Sequence, residues 1–262
     1  MSQKIENGEK RRTNTERQQE EDYLTYLWIN PVSERMISEQ NLERILTEHH
    51  LTQVRCCKDW CSSVKKQYEN LMNHANGMVA DARCPEAVNL IERYKEEKGV
   101  PIQVADIEPI LIHCARELSA RSDLADGDKI ITTPCRILAE QGNALELPRT
   151  RFVSWKDFLA ELGETPEDAP EASPIPPGFF ADLKVPVVSL SGREEIETYL
   201  EQSGEAVAGG LSEGEAAGQK AERESERRKK VSDSGYGKMK RDPLLLELLY
   251  CSQGCHMGDG VR

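Results

Sequence analysis

The sequence lacks a surplus of positive charge, and this excludes one large class of partners. Its 34 lysines and arginines are outnumbered by 46 aspartates and glutamates, which leaves a formal net charge of −12. Nucleic acids and anionic membrane surfaces are polyanions, so they repel a chain of this kind. We therefore expect neither nucleic acid nor a membrane as a main partner.

Long apolar runs and a secretory leader are also missing. No stretch approaches the ~20 consecutive apolar residues that a membrane-spanning helix needs. Residues 2–22 are polar and charged, unlike a signal peptide. These absences predict a cytoplasmic protein. Since the cytoplasm keeps thiols reduced, we expect the 8 cysteines to serve metal binding, redox chemistry or packing rather than structural disulfides.

The familiar motifs of phosphate binding and of nucleophilic catalysis are absent as well. Neither G-x-G-x-x-G nor G-x-x-x-x-G-K occurs, and the glycine-containing stretch 209–218 follows no predicted strand. The chain has 5 histidines and no G-x-S-x-G elbow, which gives no basis for a Ser-His-Asp triad. The cysteines remain as the main candidates for chemistry.

The hydrophobic pattern divides the chain into segments. Residues 1–21 are predicted to be a flexible tail, and residues 203–242 a flexible linker rich in Gly, Glu and Lys. Between them, residues 22–202 alternate short apolar runs with amphipathic helices, which predicts an α/β domain with mostly parallel sheets flanked by helices. Residues 243–262 are predicted to form a C-terminal helix followed by a C-x₃-C segment.

Four cysteines fall where predicted elements meet. Cys84 precedes Pro85 at the start of a predicted helix, where the helix dipole is expected to lower the pKa of a thiol. Cys135 follows a predicted strand, while Cys251 and Cys255 form the C-x₃-C segment. Four thiolates are the ligand set of a [4Fe–4S] cluster or of a structural zinc ion. The alternative for Cys84 is a half-buried residue at a capped turn.

Together these segments resemble the catalytic domain of the iron-only, or [FeFe], hydrogenases. CPEAVNLIERY, which begins at Cys84, is similar to the first cluster-ligand motif of that family, and IITTPCRILAE, which contains Cys135, is similar to the second. LLLELLYCSQGCHMGDGV, with Cys251 and Cys255, resembles the third motif. IEPILIHCARELSA and PPGFFADLKVPVVSLSGREEIETYL resemble the intervening segments, so the resemblance covers residues 23–202 and 243–262.

The resemblance implies two lobes with a cysteine-lined cluster site between them. It implies that Cys84, Cys135, Cys251 and Cys255 hold a [4Fe–4S] cluster, with Cys255 at the position that bridges to a diiron site in the family. A redox partner is then expected, either a ferredoxin-like protein or a sensor or signalling subunit. The acidic surface suits docking to a basic protein.

Departures from the family pattern argue against hydrogen activation. Active hydrogenases carry a proton-transferring cysteine directly before the first ligand, where this chain has Arg83. They carry a lysine three residues after the second ligand, where this chain has Leu138. We therefore expect a [4Fe–4S] cluster without the diiron subcluster, no catalytic residue, and a role in electron transfer or redox sensing. The alternatives are an active hydrogenase-type oxidoreductase and a zinc-binding or metal-free interaction module.

Other cysteines and one histidine allow two interpretations each. Cys56, Cys57 and Cys61 in CCKDWC form either a second metal or redox site or a set of small packing residues. Cys114 is expected in the core of an amphipathic helix. His256 is either a spare metal ligand beside Cys255 or a solvent-facing side chain in a glycine-rich tail.

Overall fold

Strands and helices alternate along the computed structural model, which describes residues 24–167, 170–174, 177–212 and 242–262. The predicted tail, residues 1–21, and residues 213–241 of the predicted linker lie outside these ranges. The strands are β1 (Thr25–Trp28), β2 (Leu51–Gln53), β3 (Met78–Ala80), β4 (Ile102–Val104), β5 (Asp128–Thr133), β6 (Thr150–Ser154), β7 (Val187–Ser191) and β8 (Leu244–Leu249). The helices are α1 (Pro31–Glu34), α2 (Glu39–Glu48), α3 (Trp60–Met72), α4 (Pro85–Lys98), α5 (Ile110–Ala120), α6 (Arg136–Asn143), α7 (Trp155–Glu161) and α8 (Arg193–Ser212).

The strands form two four-stranded sheets in which every pair is parallel. Sheet A has the order β2-β1-β5-β6, and sheet B has the order β4-β3-β8-β7. This confirms the predicted α/β fold with parallel sheets flanked by helices. Pro186 directly precedes β7, which lies at one edge of sheet B, where a missing backbone N–H donor is tolerated.

The last strand corrects the sequence analysis. Residues 244–249 were predicted to belong to a C-terminal helix, but they form β8 between β3 and β7. A central parallel strand is buried on both faces, so its apolar residues show no alternation with polar ones. Five of the six residues of β8 are buried. Such a short run of leucines does not distinguish a helix from a strand by periodicity, and the helix prediction was wrong.

Helix α8 is longer than the sequence pattern predicted. It begins at Arg193, close to the expected start, and continues to Ser212 through the first part of the predicted linker. That part contains one glutamate and two alanines together with three glycines, so helix propensity did not predict the extension. Within the described residues, none of the helices combines the length and the apolar character needed to cross a bilayer.

Apolar side chains cover both faces of each sheet. Consecutive residues of β8 show this directly: Leu246 packs with Ile91 and Ile196, whereas Leu245 packs with Tyr68 and Phe180. The pleat of a strand sends successive side chains to opposite faces. Because helices occupy these faces, the loops after the carboxyl ends of the strands are the places where polar and reactive side chains gather.

Candidate metal centre

The four predicted cysteine ligands leave three strands at their carboxyl ends. Cys84 follows β3, Cys135 follows β5, and Cys251 and Cys255 follow β8. Cys84 and Cys135 are the N-cap residues of α4 and α6, and neither side chain makes a capping hydrogen bond. Their thiol groups therefore remain available as ligands. Because β3 and β8 are paired, the turn that carries Cys84 lies beside the turn that carries Cys251 and Cys255, at the carboxyl end of sheet B.

Backbone contacts carry the segment after β8 across to sheet A. The amide of Gly260 donates a hydrogen bond to the carbonyl oxygen of Pro134 at 3.2 Å. The carboxylate of Asp259 accepts a hydrogen bond from the amide of Arg136 at 3.1 Å. Cys135 lies between these two contact residues, so the main chain fixes the C-terminal segment against it.

Two glycines permit this close approach. A Cβ atom at Gly258 would lie 2.4 Å from the carbonyl oxygen of Pro134, and one at Gly260 would lie 2.8 Å from the Cα atom of Cys135. Both neighbours are backbone atoms that cannot rotate away. The glycine-rich tail is therefore a packing requirement, since any larger residue would push Cys255 and its segment away from Cys135.

The four thiol groups are close enough to influence one another. Burial is the main reason why the pKa of each thiol is raised, and negative charge at Cys84 adds to the rise at the other three. The pKa reaches about 12 at Cys135 and about 11 at Cys251. All four residues are half-buried. The structure thus brings the predicted ligands into one region shared by both sheets.

The expected effect of the helix start on Cys84 was wrong. Burial raises the pKa of this thiol more strongly than the amides of Tyr250, Ala87 and Glu86 lower it by hydrogen bonding. Removing water from around a thiolate costs more here than the helix dipole returns. These amides still act in the direction of a lower pKa, which favours a metal-bound thiolate.

The spacing of the sulfur atoms bears on whether they could bind a single zinc ion. No three of the four sulfurs lie within 4.8 Å of one another; Glu48, His49 and Glu164 form the one such group of possible ligands in the part of the chain that the structure describes. Both carboxylates of that group pair with Arg44. A single zinc ion with Zn–S bonds of about 2.3 Å needs its sulfurs roughly 3.8 Å apart. As placed, the four sulfurs therefore do not form the compact group that one zinc ion needs.

The residue before the first ligand, Arg83, is held in a buried network. Its Nε donates to Oδ2 of Asp81 and its Nη2 donates to Oε1 of Glu247, both at 2.8 Å. The two carboxylates are 0% and 1% exposed. The guanidinium also lies over the rings of Phe179 and Phe180, at 4.2 and 4.4 Å from their centroids. Arg83 is thus a fixed cation at the edge of the cysteine region.

Glu247 is a site residue that the sequence analysis missed. Its carboxylate also accepts hydrogen bonds from the amide of Gly178 at 2.7 Å and from the hydroxyl of Ser189 at 2.6 Å. A buried charge needs such partners to persist in a protein interior. The signal was available, because this glutamate interrupts an otherwise unbroken run of leucines.

The guanidinium of Arg83 stays protonated. Burial by itself would lower the pKa of its guanidinium, but the charges of Asp81 and Glu247 raise the pKa above its ordinary value. The same positive charge acts in the direction of a lower pKa at Cys255. A guanidinium does not release its proton in proteins, so this position cannot relay protons as a thiol does.

Leu138 occupies the other position at which the chain departs from the hydrogenase pattern. It is 6% exposed and packs in the apolar cluster around Trp28 and Ile131. An apolar side chain at this place contributes to the core of sheet A and offers no polar anchor.

His256 lies inside the protein, which corrects the expectation of a solvent-facing side chain. The residue is 2% exposed, and its Nδ1 atom has no hydrogen-bond partner among the described residues. Burial lowers the pKa of the imidazole, so the neutral form is favoured. Its role as a spare metal ligand stays a prediction.

The other four cysteines form a separate group on sheet A. Cys114 is buried, as predicted, and Cys56 is half-buried, while Cys57 and Cys61 are exposed. The interpretation as packing residues therefore holds for the first two and not for the exposed pair.

Comparison with known proteins adds no family to this picture. The chain matches no family model, and no curated protein or solved structure is significantly similar to it. The resemblance to the [FeFe] hydrogenases therefore depends on the motifs themselves and stays a prediction.

Proposed function

We propose that this protein binds a [4Fe–4S] cluster through Cys84, Cys135, Cys251 and Cys255 and serves electron transfer or redox sensing. The observation that carries the proposal is the placement of these thiols on loops after three strands of two sheets, close enough for their charges to affect one another. Residues so distant along the chain meet there because the strands are parallel and their carboxyl ends carry the cysteines. Four cysteine thiolates are the usual ligands of such a cluster.

The donor set fits a cluster better than a single zinc ion. The sulfur atoms are spaced more widely than one tetrahedral ion requires. Backbone amides near Cys84 and Cys135 act to lower the pKa of both thiols, which favours thiolate ligands. Gly258 and Gly260 let the C-terminal segment approach the backbone of Cys135.

A bound cluster supplies reversible one-electron chemistry, and the surrounding residues tune it. Burial limits the access of water to the sulfurs. The guanidinium of Arg83 is paired with the two buried carboxylates of Asp81 and Glu247, so the network beside the site carries no net positive charge. The two sheets hold the ligands on rigid elements, so little rearrangement accompanies a change of charge.

The scaffold is proposed to be hydrogenase-like without hydrogen activation. Arg83 and Leu138 offer neither an exchangeable thiol nor an ammonium group at the two positions where active members of that family have them. A cluster alone still passes electrons to a partner within reach. We propose a redox partner that is either ferredoxin-like or a sensor or signalling subunit.

Anaerobic reconstitution with iron and sulfide tests the proposal. We expect a brown protein with about four iron and four sulfide per chain. Cys84→Ala and Cys251→Ala should each abolish this loading. Cys57→Ala and Cys61→Ala are matched controls, because these exposed cysteines lie outside the ligand group, and they should load like the parent protein.

Three results would contradict the proposal. One is a colourless protein that stays free of iron under these conditions. Another is about one zinc per chain without sulfide, which would indicate a structural zinc module. The third is hydrogen uptake with the infrared signature of a diiron site, which would overturn the inference from Arg83 and Leu138.

A further inference from the structure

A second pair of thiols lies in the core of sheet A, apart from the candidate metal centre. Cys56 is in the loop after β2 and Cys114 is in the middle of α5. The thiol of Cys56 donates a hydrogen bond to the carbonyl oxygen of Cys114 at 4.0 Å, and the two side chains are close enough to shift each other's pKa. Both pack in the apolar cluster around Trp28. These two thiols are far apart along the chain and adjacent in space.

Side chains of α5 and of the residue that follows it hold the loop that carries Cys56. The carboxylate of Glu117 accepts a hydrogen bond from Nε1 of Trp60 at 2.7 Å. Arg121 donates from Nη1 to the carbonyl oxygen of Arg55, also at 2.7 Å. Because these contacts lie on both sides of Cys56, its sulfur is kept against α5.

The two thiols are unequal in a way that suits disulfide exchange. Cys56 is half-buried, whereas Cys114 is 6% exposed. The contact with the side chain of Cys114 lowers the pKa of Cys56, and this outweighs the opposing effect of burial. The pKa of Cys114 is raised, first by its contact with Cys56 and then by burial. Cys56 is therefore the more reactive thiol, and Cys114 is placed to act as the resolving thiol.

We propose that Cys56 and Cys114 form a reversible disulfide by exchange with low-molecular-weight disulfides, which gives the protein a second redox-responsive site independent of the metal centre. The thiolate of Cys56 attacks one sulfur of the small disulfide, forms a mixed disulfide and expels one thiolate, which takes up a proton. Cys114 then loses its proton, attacks the sulfur of Cys56 and expels the second thiolate. Two electrons and two protons pass from the protein dithiol to the small disulfide, which becomes two thiols.

Oxidation of the full chain by glutathione disulfide tests this site. The reduced protein is incubated anaerobically with the oxidant, quenched in acid, alkylated and mapped by peptide mass spectrometry. We expect a crosslink between the peptides of Cys56 and Cys114. Cys114→Ser should lose the crosslink and trap glutathione on Cys56, and Cys56→Ser should oxidise Cys114 at least tenfold more slowly.

Cys57→Ser and Cys61→Ser are the matched controls, and both should retain the crosslink. Cys84→Ala should retain it too, which keeps the outcome separate from that of the proposed cluster. The proposal is overturned if Cys56 pairs with Cys57 or Cys61 instead. It is also overturned if no crosslink forms at oxidant concentrations that already modify the exposed Cys57. Cys114→Ala, which keeps the site apolar, provides a folded variant should the serine disturb the core.

Discussion

The two groups of cysteines differ in what holds them in place. The ligand group around Cys84 and Cys135 is fixed by main-chain features: helix starts, parallel strands and glycines that admit close backbone contact. The Cys56–Cys114 pair is fixed by side chains, chiefly Glu117 and Arg121. The first group therefore depends on the fold as a whole, whereas the second can be disturbed locally.

The largest expected effect comes from breaking the buried network beside the ligand group. Glu247→Leu leaves buried donors on Arg83, Gly178 and Ser189 without their acceptor, which should lower the free energy of unfolding by about 3–5 kcal/mol. Urea denaturation measures this. Glu48→Ala, which breaks an exposed pair with Arg44, is the control and should cost about 1 kcal/mol or less. An equal effect of both substitutions would contradict the role assigned to the network.

A methyl group at Gly258 should disturb the ligand group without disturbing the Cys56–Cys114 pair. Gly258→Ala forces the C-terminal segment away from Pro134 and should cost about 1–3 kcal/mol of stability while lowering iron loading. Gly142→Ala clashes with Phe152 instead and serves as a matched control. It should destabilise the protein to a similar extent without a specific loss of iron from the folded fraction. Iron per folded chain, measured after reconstitution, distinguishes the two variants.

Release of the loop around Cys56 is the converse experiment. Glu117→Ala removes the acceptor of the Trp60 indole hydrogen bond and should weaken the placement of Cys56 by about 1 kcal/mol. The equilibrium yield of the Cys56–Cys114 disulfide should then fall roughly fivefold. Iron loading should be unchanged. A parallel fall in iron loading would show that the two groups are coupled.

The smallest expected effect concerns an exposed ion pair next to the ligand group. Hydrogen bonds from Arg136 and Ser154 lower the pKa of Asp157 to about 2. A lowered carboxyl pKa stabilises the folded state above the unfolded value near 3.9, and this contribution is lost as the pH falls towards 2. Asp157→Asn should therefore cost a few tenths of a kcal/mol at neutral pH, because solvent screens the pair. The difference from the parent, followed by chemical denaturation, should vanish near pH 2.

The sequence predicted the class of fold because helix and strand periodicities differ over most of the chain. The helix from Pro85 to Lys98 begins at the expected proline and ends at Gly99, and Ser154 caps α7 through its side chain. The strand β8 was mistaken for a helix because a strand buried on both faces carries no alternation. Strand β4 was missed, since three residues after Pro101 give too short a pattern to interpret.

The candidate ligands were found from motif order, but their surroundings were not. The pKa of Cys84 depends on how deeply the thiol is buried, and burial is a property of tertiary packing that local sequence does not report. The partnership of Arg83 with Glu247 joins residues from distant parts of the chain. The pairing of Cys56 with Cys114 was hidden for the same reason.

The position of β8 also constrains the order in which the protein is made and folded. During synthesis, β3, β4 and β7 all precede β8 along the chain, yet β8 lies between β3 and β7 in the finished sheet. Until β8 arrives, the nascent half-built sheet exposes two unpaired edges that invite chaperone binding or aggregation. Arrival of this one strand closes the gap and delivers Cys251 and Cys255 in the same event.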